Sequence, residues 1–228
     1  MKRIRVVLPL EAPAWQSCRF ITAGLRRVYA DAYGANVEFL SLSENASFQE
    51  AVHFARRLIA EEPDHIVFLD TYPVFGPILI CLHEHYQHRE KPSIRFHAYG
   101  DFTFKVRFWL DWSQYLVGFP VDWACASIPQ QKLLSGFLKD AAGAAWVCPF
   151  SVEDEVFSFD AEARVRIRRQ LNIEASDVLI VYSGRMSLQK NVLPLVEAFA
   201  KISDSRAHLL LLGEFDDISP PFDGLRLI

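Results

Sequence analysis

Apolar positions follow two alternating rhythms from Ile4 to Cys148. Ile4–Leu10 (IRVVLPL), apolar almost throughout, predicts a strand covered on both faces, and Val37–Leu42 (VEFLSL), His65–Asp70 (HIVFLD) and Ser93–Tyr99 predict further strands. Trp123–Ser127 (WACAS) and Ala144–Cys148 (AAWVC) predict two more. Between them, helices are predicted near Ser17–Ala32, Pro77–His88, Phe102–Tyr115 and Lys132–Leu138. The best-marked helix follows Ser47, which with Glu50 writes a capping box. Phe48, Val52, Ala55 and Ile59 keep helical spacing to about Glu62, where Pro63 stops it. A second set follows: helix Ala161–Leu171, buried strand Asp177–Tyr182, helix Asn191–Ile202 and strand Ala207–Leu212. Leu225–Ile228 (LRLI) reads as the opening of one more strand.

Strands alternating with helices predict an α/β chain: a Rossmann-like doubly wound parallel sheet over 1–155, then an incomplete second Rossmann-like domain over 156–228. No short internal repeat or low-complexity tract interrupts this plan.

Composition narrows the function classes. Of 228 residues, 51% are hydrophobic and 23% charged, enough for a substantial core. A net charge of −4 argues against a general nucleic-acid binder. Cys18, Cys81, Cys125 and Cys148 are widely spaced among apolar residues, which reads as buried free thiols in a reducing compartment. The most apolar window, Val74–Leu82, is interrupted by Gly76 and Pro77 and is too short to cross a bilayer, so a cytoplasmic protein is expected.

Candidate chemistry concentrates in VYSGRMSLQKN, Val181–Asn191. A strand leads into a turn carrying Gly184, Arg185 and Lys190, and a helix begins behind it. Backbone N–H groups and the helix dipole favour an anion there, while the Arg fork and the Lys point charge suit a diphosphate.

With its sequel, this stretch resembles the retaining GT-B glycosyltransferases of family 4 (group 1). Gly184, Arg185, Lys190, Asn191, Glu197, Ala198 and Phe199 fit that family's G-R…K-N…E-A-F pattern in register. The junction Pro149–Phe157 is similar to the family's P-N-G-V-D-x-x-x-F hinge. Pro149, Val152 and Phe157 match, whereas Phe150, Ser151 and Glu153 depart from it.

The resemblance implies transfer of a sugar from a nucleotide-diphosphate donor to an acceptor hydroxyl with retention. Arg185 and Lys190 would hold the diphosphate, so no metal or other cofactor is required. Gly184 would let the backbone approach the donor. Gly213 stands at the family's next glycine-rich turn, although Glu214 and Phe215 follow where a second glycine belongs. His97, late in its strand, would contact the donor sugar or the reacting region, and a core histidine is the plain alternative. Asp70, Asp101 and Ser127 are acceptor-side candidates, with helix capping the alternative for Asp70 and Ser127. The acceptor would be a glycan, a lipid or a small molecule, and a peripheral membrane contact is an option. The family's later pair of glutamates has no counterpart here, so the expectation is an inactive fragment of a longer enzyme. The rival is a non-catalytic binding or scaffolding protein on a degenerate GT-B fold.

Other clusters carry less. His83, His85 and His88 read as a solvated helix end and not as metal ligands. Arg164, Arg166, Arg168 and Arg169 read as a solvated basic face that would also suit an anionic membrane. Phe104, Phe108 and Trp112 form a core stripe, leaving Phe102 and Trp109 for an acceptor or lipid contact. A nucleotide-sugar epimerase or dehydrogenase would need G-x-G-x-x-G after the first strand, and Pro9–Phe20 has no glycine.

Overall fold

The computed structural model describes residues 2–10, 16–99, 111–137, 143–150 and 157–214. The chain divides into two compact units, Met1–Val152 and Glu153–Ile228. Asp101, Phe102, Phe104, Phe108, Trp109, the hinge positions Ser151–Glu153 and the run Leu225–Ile228 lie outside the described residues.

In the first unit the described strands are β1 (Ile4–Pro9), β2 (Val37–Leu42), β3 (His65–Leu69), β4 (Ser93–Ala98), β5 (Val121–Cys125) and β6 (Ala144–Val147). They form one parallel sheet in the order β2-β1-β3-β4-β5-β6. The helices are α1 (Gln16–Tyr33), α2 (Phe48–Ala60), α3 (Phe75–His85) and α4 (Ile128–Phe137). The chain steps outward from β1 to β2 and then returns past β1 to β3, so right-handed crossovers put α1 on one face and later helices on the other.

The packing follows that rule. Tyr29 and Leu25 of α1 cover Ile4, Val6, Leu8, Val67 and Leu69. Residues of α2, α3 and α4, together with Trp112 and Leu116, cover Ile66, Phe68, Ile94, Phe96, Val121 and Trp123. The Phe96 ring stacks on Phe68 at 5.0 Å and on Trp123 at 4.2 Å, forming the centre of that layer. The α/β doubly wound character expected from the apolar runs is therefore present in this unit.

Local chemistry sets the boundaries. Ser47 Oγ accepts from the Glu50 N–H at 3.3 Å, and Glu50 Oε2 accepts from the Ser47 N–H at 2.7 Å, closing the capping box. Pro77 falls in the first turn of α3, where its missing N–H breaks no helical bond. β5 begins at Val121, two residues ahead of the expected Trp123, because Val121 and Asp122 pair with Ile94 and Arg95. Their charge contrast hid this from the apolar pattern: Asp122 binds the Arg95 guanidinium at 2.6 and 2.9 Å.

The second unit holds α5 (Ala161–Gln170), β7 (Val178–Ser183), α6 (Val192–Phe199) and β8 (Ala207–Leu212). β7 and β8 pair in parallel, register Val178↔Ala207 to Ser183↔Leu212. α6 packs on one face through Val192, Leu193, Leu195 and Val196 against Tyr182, Leu209 and Leu211. Two expectations change here. β7 is not buried: Val178 is 58% exposed and Val181 51%, since no second layer covers both faces among the described residues. Arg168 is not part of a solvated face. It is buried at the end of α5, and its guanidinium donates to the carbonyls of Glu174 and Asp177, tying the helix to the turn before β7.

The cysteines are all free, but only Cys125 is buried; the other three are half-buried, being on helices or strand ends that face partly outward. Among the described residues no helix is long and apolar enough to cross a membrane.

Candidate functional site

In the second unit, four of the sequence-derived candidates meet at the C-terminal end of the β7–β8 pair. Gly184 follows β7 and Gly213 follows β8, with φ +153° and +148°, values that disfavour any L side chain. A Cβ on Gly213 would stand 1.9 Å from the Gly184 carbonyl oxygen, so only bare backbone lets the two chains run this close. The Gly184 N–H donates to Leu212 O at 2.9 Å, and the Met186 N–H to Glu214 O at 2.9 Å, which carries the pairing past the strand ends.

Arg185 sits inside this crossing. The Tyr182 hydroxyl donates to the Arg185 carbonyl at 2.5 Å and fixes its backbone. Its guanidinium donates to Gln189 Oε1 at 3.2 Å, which turns it toward the short 3-10 turn Leu188–Lys190. Lys190 is exposed at the end of that turn. Asn191 then takes a left-handed conformation (φ 53°) and starts α6 without a side-chain cap. The first-turn N–H groups have no acceptor within the helix, so the dipole end is left for an external anion. Pro194 in this first turn has no N–H to satisfy.

Ser187 is the residue that the sequence reading passed over. It is 1% exposed, and its hydroxyl has no hydrogen-bond partner among the described residues. Burying an unpartnered hydroxyl costs roughly 1–3 kcal/mol. The only signal in the sequence is a serine inside the Arg185–Lys190 interval, indistinguishable there from a loop residue.

In the first unit Asp70 and His97 are backbone neighbours, the Asp70 N–H donating to the His97 carbonyl at 2.9 Å, but their side chains have different partners. Asp70 closes β3 with φ 68° and is 8% exposed; its Oδ1 accepts from the Thr71 N–H at 2.8 Å. Ser127 caps α4: its carbonyl accepts from the Gln131 N–H at 2.9 Å and its Oγ from the Gln130 N–H at 3.4 Å. Asp101 lies outside the described residues.

His97 faces α1. It is 5% exposed, its Nε2 lies 2.8 Å from the Tyr29 hydroxyl, and the two rings meet edge to face at 5.6 Å. Burial lowers its pKa to about 4; the nearby Arg95 charge acts in the same direction and Asp122 partly against it. The imidazole is thus neutral at pH 7, and its Nε2 is engaged with a phenol. A polar cavity of about 160 Å³ lies along the same face, lined by Tyr29, Tyr33, His65, Ser93, Arg95 and Asp122. It opens near the N-terminal ends of β3 and β4, opposite the edge where parallel sheets bind ligands.

Two further groups are structural. His83 Nδ1 lies 3.1 Å from the Tyr115 carbonyl, and His85 packs edge-on against Tyr86 at 4.7 Å. Trp112 is buried in the larger core, as its place in the aromatic stripe suggested. No model of a protein family matches the chain, and no curated protein matches it.

Proposed function

We propose that this chain carries the donor-binding turn of a GT-B-like retaining glycosyltransferase and binds the diphosphate of a nucleotide-sugar donor between β7 and α6. The observation that carries the reading is the Gly184–Gly213 crossing. Two bare backbones meet at the C-terminal edge of a parallel pair, with Arg185, Lys190 and an uncapped helix start beside them. Such an edge is where ligands of open parallel sheets bind, and this donor set matches an anion with several oxygens.

In this scheme Arg185 offers parallel N–H donors to the diphosphate and Lys190 a compact charge. As the bond to the sugar breaks, negative charge grows on the leaving phosphate. Cations fixed beforehand lower the barrier without having to reorganise. Retention and the sugar acceptor come from the family resemblance of Val181–Phe199. His97 takes no step in the scheme, since its imidazole is buried against Tyr29.

The test is calorimetric titration of UDP, GDP and inorganic pyrophosphate into the protein and into Arg185→Ala and Lys190→Ala. Binding of at least one of the three, weakened about tenfold or more by each substitution, is expected, in line with loss of a charge-assisted contact. Binding that survives both substitutions unchanged, or no binding by any of the three, overturns the site.

A further inference from the structure

The peptide that joins Arg185 to Met186 is held at both of its ends. Its carbonyl accepts from the Tyr182 hydroxyl at 2.5 Å, and its N–H donates to Glu214 O at 2.9 Å. Just before Arg185, the Gly184 N–H is engaged by Leu212 O at 2.9 Å. Just after it, the Met186 side chain is 2% exposed and sits in the small core with Val192 and Leu211. Among these three hydrogen bonds, the one from Tyr182 alone comes from a side chain.

Tyr182 is placed for this bond by the same core. Its ring packs against the Met186, Val192 and Leu211 cluster from the end of β7. To reach the Arg185 carbonyl, its hydroxyl passes over Gly184. A Cβ on Gly184 would stand 3.1 Å from that hydroxyl oxygen, closer than an ordinary contact. The bare residue therefore lets the phenol cross the turn as well as letting the two backbones meet.

This bond bears on anion binding in two ways. Carbonyl oxygens repel an anion and N–H groups attract it, so a turn that binds anions must keep its oxygens engaged elsewhere. The Ser187 and Leu188 carbonyls are taken by the Lys190 and Asn191 N–H groups at 3.1 Å each, and the Arg185 carbonyl by the phenol. Fixing that peptide also fixes the point from which the Arg185 side chain starts, and its guanidinium is already drawn to Gln189 Oε1 at 3.2 Å. A cation placed in advance gives up less freedom when its ligand arrives.

We propose that Tyr182 is a positioning residue of the anion site: its hydroxyl holds the Arg185–Met186 peptide so that the guanidinium, and not a carbonyl oxygen, faces the anion. The inference rests on the diphosphate reading above and names the side chain through which its cation is set.

Amide chemical-shift titration with inorganic pyrophosphate, which reads weak affinities as well as strong ones, tests it on the full chain. Tyr182→Phe keeps the ring and removes one oxygen. Its affinity for pyrophosphate falls about fivefold, the scale of one neutral hydrogen bond. The same substitution repeats that loss in a Lys190→Ala background. In an Arg185→Ala background it changes the remaining affinity by less than about twofold, because the group through which it acts is gone. A merely structural role, loosening the turn as a whole, would cost the same factor in both backgrounds.

Two results overturn the proposal and leave the anion site standing. One is a parent that binds pyrophosphate with a Tyr182→Phe variant within about twofold of it. The other is an equal loss in the Arg185→Ala and Lys190→Ala backgrounds. Should Arg185→Ala leave no binding to compare, the Lys190→Ala background decides, and a loss below about twofold there overturns the proposal. A parent that does not bind pyrophosphate overturns the anion site itself, and this inference with it.

Discussion

The two parallel strand sets of this chain were written in similar apolar letters and have opposite fates. In the first unit, Ile66, Val67, Phe68 and Leu69 of β3 are all buried, sandwiched between α1 on one face and α2 and α3 on the other. In the second, β7 (VLIVYS) has one helix on it, and its described core comes down to Met186, Val192 and Leu211 with their half-buried neighbours. An isolated pair of strands is marginal in water, and a sheet gains stability from layers on its faces. The contrast teaches that an apolar run reports what a strand can bury, while the number of layers decides what it does bury. The better-packed scaffold is the first unit, and the proposed anion site is on the more sparsely covered one, at its glycine-bare end.

Core truncation should break this contrast most visibly. Phe96→Ala removes a fully buried ring stacked on both Phe68 and Trp123 and is expected to destabilise the first unit by about 3–5 kcal/mol. Leu211→Ala in the small cluster should cost about 2 kcal/mol, at the low end for such a truncation. Denaturant unfolding followed with a probe in each unit measures both. Equal losses would show that the second unit is packed as tightly as the first.

The next effect is acid sensitivity at His97 in the first unit. The unfolded chain protonates His97 near its ordinary pKa of 6.5, whereas burial holds the folded value at about 4. The stabilising contribution is therefore complete above pH 6.5 and is lost as pH falls from 6.5 toward 4, amounting to ~3 kcal/mol. Stability of the parent measured at pH 7 and pH 4.5, set against His97→Gln, reads this directly. A variant that loses as much stability as the parent over that interval would remove His97 from the account.

A smaller expected effect concerns a helix start. Ser47→Ala opens the capping box of α2 and should cost about 1 kcal/mol. A loss beyond roughly twice that would mean Ser47 supports more than the cap. The smallest effect belongs to Ser187. Its hydroxyl is buried without a partner among the described residues, so Ser187→Ala should leave stability within about 1 kcal/mol of the parent or raise it. A clear loss would reveal a bonding partner for this hydroxyl.

Much of the scaffold was legible in the sequence, because strands buried on both faces leave continuous apolar runs and Ser47 with Glu50 marks a helix start. β8 was read with its observed ends, Ala207 and Leu212. The start of β5 was missed because Asp122 breaks the apolar run, and only the Arg95 partner on β4 explains why a carboxylate sits there. Arg168 was misread for the converse reason: a basic residue among basic neighbours looks solvated until the carbonyls of Glu174 and Asp177 are brought to it. At the site, glycines and cations were readable as types at a strand–turn–helix junction. The Gly184–Gly213 crossing was not, since it depends on the register of two strands far apart in sequence. His97 shows the limit in the other direction. A histidine near a strand end looks available, and only the fold reveals which side of the sheet it faces.

The most direct measurement is an amide chemical-shift titration of the protein with inorganic pyrophosphate. If the anion sits in the turn after β7, the N–H signals of Gly184, Lys190, Asn191, Val192 and Leu193 move together and saturably, those of β3 and β4 stay still, and Arg185→Ala suppresses the movement. Shifts centred elsewhere, or shifts at these residues that persist unchanged in Arg185→Ala, would contradict the central claim.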